Sequence, residues 1–161
     1  MEKQPVAGSG AISLQSDVDG LRKAIIRFSS GRVLRTYISA EEESFLYQSA
    51  PATFAARTPD GNRVEVKSSE VKAIFFVKSF EGAADYSEFK VFTAQPNGRG
   101  VWVRIHFHDG EIMEGVAPNR IDTYVKPVFS MTPPDPASNN QTVLVSKQSL
   151  QEMQILGLAA D

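Results

Sequence analysis

Two stretches of this chain alternate apolar and polar residues around a tight turn, and their patterns match. In the stretch Val101 to Gly115, Val103, Ile105 and Phe107 alternate with Trp102, Arg104, His106 and His108. Asp109-Gly110 follows, and Ile112 and Met113 begin a return. In the stretch Arg22 to Thr36, Ala24, Ile26 and Phe28 alternate with Lys23, Arg27 and Ser29. Ser30-Gly31 follows, and Leu34, Thr36 and Ile38 share one side of the return. A period of two marks a strand with one apolar face, and glycine at such a turn lets the chain reverse. Both stretches are expected to form hairpins.

The match continues without a gap when the chain is shifted by 79 positions, the offset from Gly31 to Gly110. Glu43-Ser44-Phe45-Leu46 falls on Asp122-Thr123-Tyr124-Val125, and Asp60-Gly61 falls on Asn139-Asn140. Val64 and Val66 fall on Val143 and Val145, and Val71 on Leu150. Turns and apolar phases that agree over so long a span point to one small β unit used twice. The expected division is a mobile tail over 1–20, a first module over 21–77, a connector over 78–100, a second module over 101–157 and a short tail over 158–161. Within the first module, Glu41 to Glu43 read as a charged corner and Phe45-Leu46-Tyr47 as a short strand. Val71 to Val77 is apolar on both faces towards its end, as a strand is when it is buried or paired with a second unit. The connector holds Phe80, Tyr86, Phe89, Val91 and Phe92, too many large apolar groups for a free linker. Its stretch Glu88 to Thr93 is expected to add a strand or to pack between the modules.

Composition removes several functions. The 161 residues carry 17 Lys and Arg against 19 Asp and Glu, a net charge of −2, so a nucleic-acid site would have to be a local patch. The chain has no cysteine, which removes disulfides, thiolate nucleophiles and Cys-ligated zinc and fits a reducing compartment. The start lacks the pattern of a signal peptide and no apolar run reaches membrane-spanning length, so a soluble cytoplasmic protein is expected.

The order strand, glycine turn, strand, short strand, hairpin and last strand resembles the small five-stranded barrel of the Sm-like family. In that family a first strand ends in Asp-Gly or Asn-Gly and a second glycine follows five positions on. Asp109-Gly110 and Gly115 match this, whereas the first module has Gly31 and then Thr36. The resemblance implies a mostly β fold of two tandem five-stranded Sm-like or SH3-like barrels. It also implies RNA binding, but the family's base pocket is missing. Asp122 is followed by Lys126, and Glu43 by Tyr47, where the pocket needs Asn. Lys67-Ser68 and Ser146-Lys147 stand where it needs Arg-Gly. The C-terminal half also resembles bacterial domains of unknown function, through the Asp-Pro-x-Ser-Asn-Asn string from Asp135 to Asn140.

Candidate chemistry is sparse. His106 and His108 on one strand face could grip a metal with Asp109, Glu111 or Glu114, but a solvated sheet face is much the plainer reading of the pair. Trp102, Arg104, His106 and His108 form an aromatic and basic stripe that could stack on bases or dock a peptide; an exposed strand face is the plainer reading. Pro127, Pro133, Pro134 and Pro136 around Phe129 and Met131 make a stiff apolar loop, either a docking edge or a lid over one barrel end. No nucleophile elbow or phosphate loop is present, nor are the strings by which PilZ-type barrels bind a cyclic dinucleotide. The expectation is therefore a non-catalytic adaptor or regulatory module that binds protein or itself. Its candidate contacts are Trp102, Arg104, His106, His108, Lys126, Phe129 and Met131, with no metal and no cofactor. RNA binding through Arg99, Arg104, Lys126 and Lys147 is the alternative, and a PilZ-like nucleotide sensor lacking the usual motif a further one.

Overall fold

In the computed structural model, residues 20–82 and 86–160 are described; the expected N-terminal tail lies almost wholly outside them. The first half contains β1 (Leu21–Phe28), β2 (Val33–Ser39), α1 (Ala40–Ser49), β3 (Thr53–Arg57), β4 (Arg63–Lys67) and β5 (Val71–Val77). The second contains β6 (Val101–Phe107), β7 (Ile112–Ala117), α2 (Ile121–Val125), β8 (Val128–Met131), β9 (Asn140–Ser146) and β10 (Leu150–Leu158). A single turn of 3-10 helix precedes β5 at Ser68–Glu70 and β10 at Lys147–Ser149.

The protein is mostly β, but its strands form two open sheets rather than two closed barrels. One sheet has seven strands in the order β4-β3-β2-β1-β5-β9-β8, the other three in the order β10-β6-β7. The grouping departs from five plus five for two reasons. First, β5 pairs with β1 on one side and with β9 of the other half on the other, placing Ala73 opposite Val145, Ile74 opposite Leu144 and Phe75 opposite Val143. Second, β7 and β8 meet at a single bridge, where Val116 and Thr132 exchange two hydrogen bonds of 2.9 Å.

Strand β5 accounts for this junction. All seven of its residues are buried. Ile74 and Phe76 enter the core of the first half with Ile26, Ile38, Phe54 and Val66. Ala73, Phe75 and Val77 enter the core of the second with Val103, Ile105, Phe107 and Phe129. A strand apolar on both faces is therefore buried on both, each face in a different core.

The two hairpin turns agree closely, with Gly31 at φ 91° and Gly110 at φ 92°, backbone that side chains with a Cβ rarely adopt. Other segments differ from expectation. Glu41 to Tyr47 is helix, not corner and strand. Ser39 Oγ accepts the Glu42 N–H at 3.1 Å, and three glutamates in the first turn favour the positive end of the helix dipole. Leu156 to Leu158 belongs to β10, and Ala160 bridges to Asn97, so the C-terminal end is paired.

Candidate functional site

The Trp102 stripe does not lie open. Glu114, on the neighbouring strand β7, is fully buried and takes hydrogen bonds from two of its members, Trp102 and Arg104. Trp102 Nε1 donates to Glu114 Oε1 at 2.8 Å and Arg104 Nε to Oε2 at 2.9 Å. The backbone N–H of Phe92 donates to Oε1 at 3.1 Å, and the Phe92 ring meets the Trp102 ring edge-on. Burial pushes the Glu114 carboxyl up; these three donors and the Arg104 charge outweigh it and hold the group below the usual carboxylate range. The connector thus packs on this face without forming a strand, and the Glu114 N–H donates to the Lys90 carbonyl at 2.8 Å.

The same string that precedes β9 fastens the rest of the connector. Asp135, itself buried, accepts from the Tyr86 hydroxyl. Ser138 and Asn140 both bond Glu88, and the Asn139 side-chain amide accepts from the Ser79 N–H and donates to the Ser79 carbonyl. Asp135 to Asn140 is thus a buckle for the connector.

His106 and His108 separate. His106 is half-buried, and its Nε2 is sealed from solvent with no hydrogen-bond partner among the described residues. His108 is exposed in the turn beyond β6. Asp109 and Glu111 turn toward the first half: Asp109 Oδ2 lies 2.6 Å and Glu111 Oε2 3.6 Å from Lys72 Nζ. Among the described residues no group of three or more metal-ligating side chains gathers at one point.

The proline-flanked segment also differs from a docking loop. Phe129 and Met131 are inward residues of β8, 2% and 1% exposed, and both belong to the second core. Met131 is held there by close approach of β7: a Cβ on Gly115 would lie 2.7 Å from Met131 Sδ and 2.9 Å from the Thr132 carbonyl oxygen. Lys126 donates to the Tyr47 carbonyl at 3.2 Å and pairs with Asp122 at 3.4 Å, joining α2 to α1.

What remains open is the edge of the three-stranded sheet. Among the described residues β10 pairs with no strand but β6, and at its far end Gln95 Nε2 donates to the Leu158 carbonyl at 2.8 Å. Ile155, Leu156 and Leu158 on this strand are 48%, 36% and 59% exposed. Ile155 and Leu156 are exposed where β10 bulges, its register against β6 shifting between Ile155 and Gly157.

The Family of unknown function (DUF6982) matches residues 20–157, from just before β1 to within β10. The chain belongs to this family. No curated protein and no solved structure matches it. The DUF6982 match spans both halves, wider than the C-terminal resemblance seen in the sequence. No helix among the described residues is long and apolar enough to cross a membrane.

Of the residues named from the sequence, Trp102, Arg104, Lys126, Phe129 and Met131 make contacts within the fold and His108 is exposed, while the β10 edge was not named. The signal for β10 was present in Ile155, Leu156 and Leu158, but a terminal strand with apolar residues on both sides looks the same whether it is buried or free.

Proposed function

We propose that this protein is a non-catalytic binding module that works through protein contacts, and that its first partner is a second copy of itself, added at the open edge of β10. The observation that carries this reading is the exposed apolar run on a nine-residue strand that, among the described residues, pairs with β6 on one side and with no strand on the other. A strand edge offers N–H and C=O groups that recruit another strand unless something blunts it, and here Gln95 already occupies the Leu158 carbonyl at the far end.

We also infer that each half is one Sm-like unit. Support comes from the order β4-β3-β2-β1-β5 in the first half. In the second half the same order is approached through the β7–β8 bridge, and the paired 3-10 turns lie 79 positions apart.

Two geometries compete for the outer edge. The internal seam joins the fifth strand of one half to the fourth of the other, and a chain could repeat it by adding β10 to the β4 of a neighbour. At the corresponding register Glu152 and Gln154 would stand where the internal seam has Ala73 and Phe75, opposite Val66 and Val64. Polar groups facing valines in that seam would lose their solvation without a partner. A two-fold contact of β10 with β10 of a second copy instead covers Ile155, Leu156 and Leu158 with their own kind, and it closes at two copies. The dimer is therefore favoured over an open chain. The RNA reading has less support, because Arg104 and Lys126 already hold carboxylates within the fold.

Sedimentation equilibrium across a concentration series tests this. Wild type is expected to rise from monomer to dimer and stop there, and the Ile155→Lys, Leu158→Lys double variant to stay monomeric. A wild type that remains monomeric throughout, or that grows past the dimer, overturns the proposal.

A further inference from the structure

The outer strands of the seven-stranded sheet carry a cluster of cations on the face turned away from the first core. The register lines up Arg63 on β4, Arg57 on β3, Tyr37 on β2 and Lys23 on β1 as directly opposed neighbours. Opposed residues share a face, and their chain neighbours Ala56, Ile38 and Ala24 fill the first core from the other side. Arg35, two residues before Tyr37, stands on the same face. Arg35, Arg57 and Arg63 are exposed and Lys23 is half-buried. None of these four cations makes an ion pair among the described residues.

Like charges directly opposite each other destabilise a sheet, so the Arg57–Arg63 pair is a cost that the fold bears. Charge on β4 alone would serve to blunt an edge strand, but β1, β2 and β3 are interior strands and need no such defence. The whole chain carries −2, so the positive excess is local and draws an anionic partner to one place. The surroundings select among anions. The row spans three strand spacings, about 14 Å. Two carboxylates border it: Glu65, the next residue of β4 on this face, and Glu42, on a cleft of about 310 Å³ that Arg57 and Arg63 also line. A long nucleic acid or a lipid plane would press phosphates against those carboxylates, whereas a short acidic segment fits between them. The row also offers no ring for bases to stack on, because Tyr37 is buried with the Phe80 ring edge-on at 5.2 Å.

We propose that this face docks a short acidic segment of a partner protein, its carboxylates taken by Arg35, Arg57, Arg63 and Lys23. An arginine fork can hold a carboxylate through two parallel bonds, which gives such a contact direction as well as charge. β10 belongs to the other sheet, so this docking stands or falls independently of self-association.

Fluorescence anisotropy with the full chain and a short labelled peptide of alternating Glu and Gly tests the surface. The peptide is expected to bind at low salt, to weaken as salt is raised, and to lose its binding when Gln replaces Glu. The Arg57→Gln, Arg63→Gln double variant should bind about tenfold more weakly, the worth of two exposed charge contacts. It should melt no lower than wild type, since it removes a like-charge pair. Arg120→Gln, at an exposed arginine of the second half, should leave binding unchanged. A uridine oligonucleotide and phosphatidylserine vesicles, titrated alongside, should bind more weakly than the Glu peptide. Absence of Glu-peptide binding, equal binding of the Gln peptide, full retention in the double variant, an equal loss in Arg120→Gln, or tighter binding of the oligonucleotide or the vesicles overturns the proposal.

Discussion

Lys72 Nζ, on the doubly buried strand β5, lies 2.6 Å from Asp109 Oδ2 at the tip of the β6–β7 turn. This contact ties the first half to the second. The lysine is itself buried and sits 4.4 Å above the Phe107 ring, and Glu111, which Arg27 also approaches at 3.4 Å, gives it a second carboxylate at 3.6 Å. The ion pair to the β6–β7 turn and the β5–β9 seam therefore both hold β5 of the first half to the second half.

Asp109→Asn should destabilise the fold by about 1–2 kcal/mol, less than the full penalty for breaking a buried pair because Glu111 still faces the lysine. Lys72→Met should be milder, since methionine fills the same space and Asp109 is half in solvent. Urea unfolding of the two variants checks the order; a larger loss in Lys72→Met contradicts it.

Acid should unfold the protein in a range set by two carboxylates. The hydrogen bond from Lys72 holds Asp109 below its ordinary range, and Glu114 is likewise held down. A folded-state value below the unfolded one means the unfolded chain binds protons first. The stabilisation is thus complete above the ordinary carboxylate range and is lost as pH falls through the lowered folded values. Stability measured from neutral pH downward should decline below about pH 5, and the slope should flatten in Glu114→Gln. An unchanged slope in that variant contradicts the assignment.

Glu114→Gln should lower stability by about 2–4 kcal/mol, because Arg104 loses its counterion and one amide group must face donors. Trp102 fluorescence should shift to the red as the connector loosens over the indole. Retention of wild-type stability with an unshifted spectrum would mean the network is dispensable.

Gly115→Ala should cost about 1–3 kcal/mol through overpacking. The new Cβ would lie 2.7 Å from the Met131 side chain, which can move, and 2.9 Å from the Thr132 carbonyl, which cannot easily. Shortening the neighbour in Gly115→Ala, Met131→Ala should therefore relieve only part of the clash. Thermal unfolding with an additive loss in the double variant contradicts this coupling.

Much of the fold was legible in the sequence. The glycine turns at Gly31 and Gly110, the alternation through Phe28 and Phe107 and the two-faced character of Val71 to Val77 each correspond to an element with the expected burial. The helix α1 was misread although Ser39 and the three following glutamates form a capping signal. Its short apolar run, Phe45 to Tyr47, resembles a strand when read alone, and only Leu46 of the helix is buried. The site was less legible. Period-two alternation places Trp102, Arg104 and His106 on the face opposite the core, but it cannot reveal that a connector from outside the strand covers that face. Phe129 and Met131 alternate correctly for an inward strand; the surrounding prolines drew attention to the loop instead. The exposed run on β10 could not be told from a buried one, because exposure depends on which strand lies next to it.

The central claim is that β5 is sealed between the halves while β10 offers a free edge to a second copy. Amide hydrogen exchange measured at low and high protein concentration tests it most directly. Residues of β5 should exchange only by global unfolding at both concentrations, and residues 153–158 should exchange quickly when dilute and slowly when concentrated. Fast exchange in β5, or a β10 whose exchange is indifferent to concentration, would contradict it.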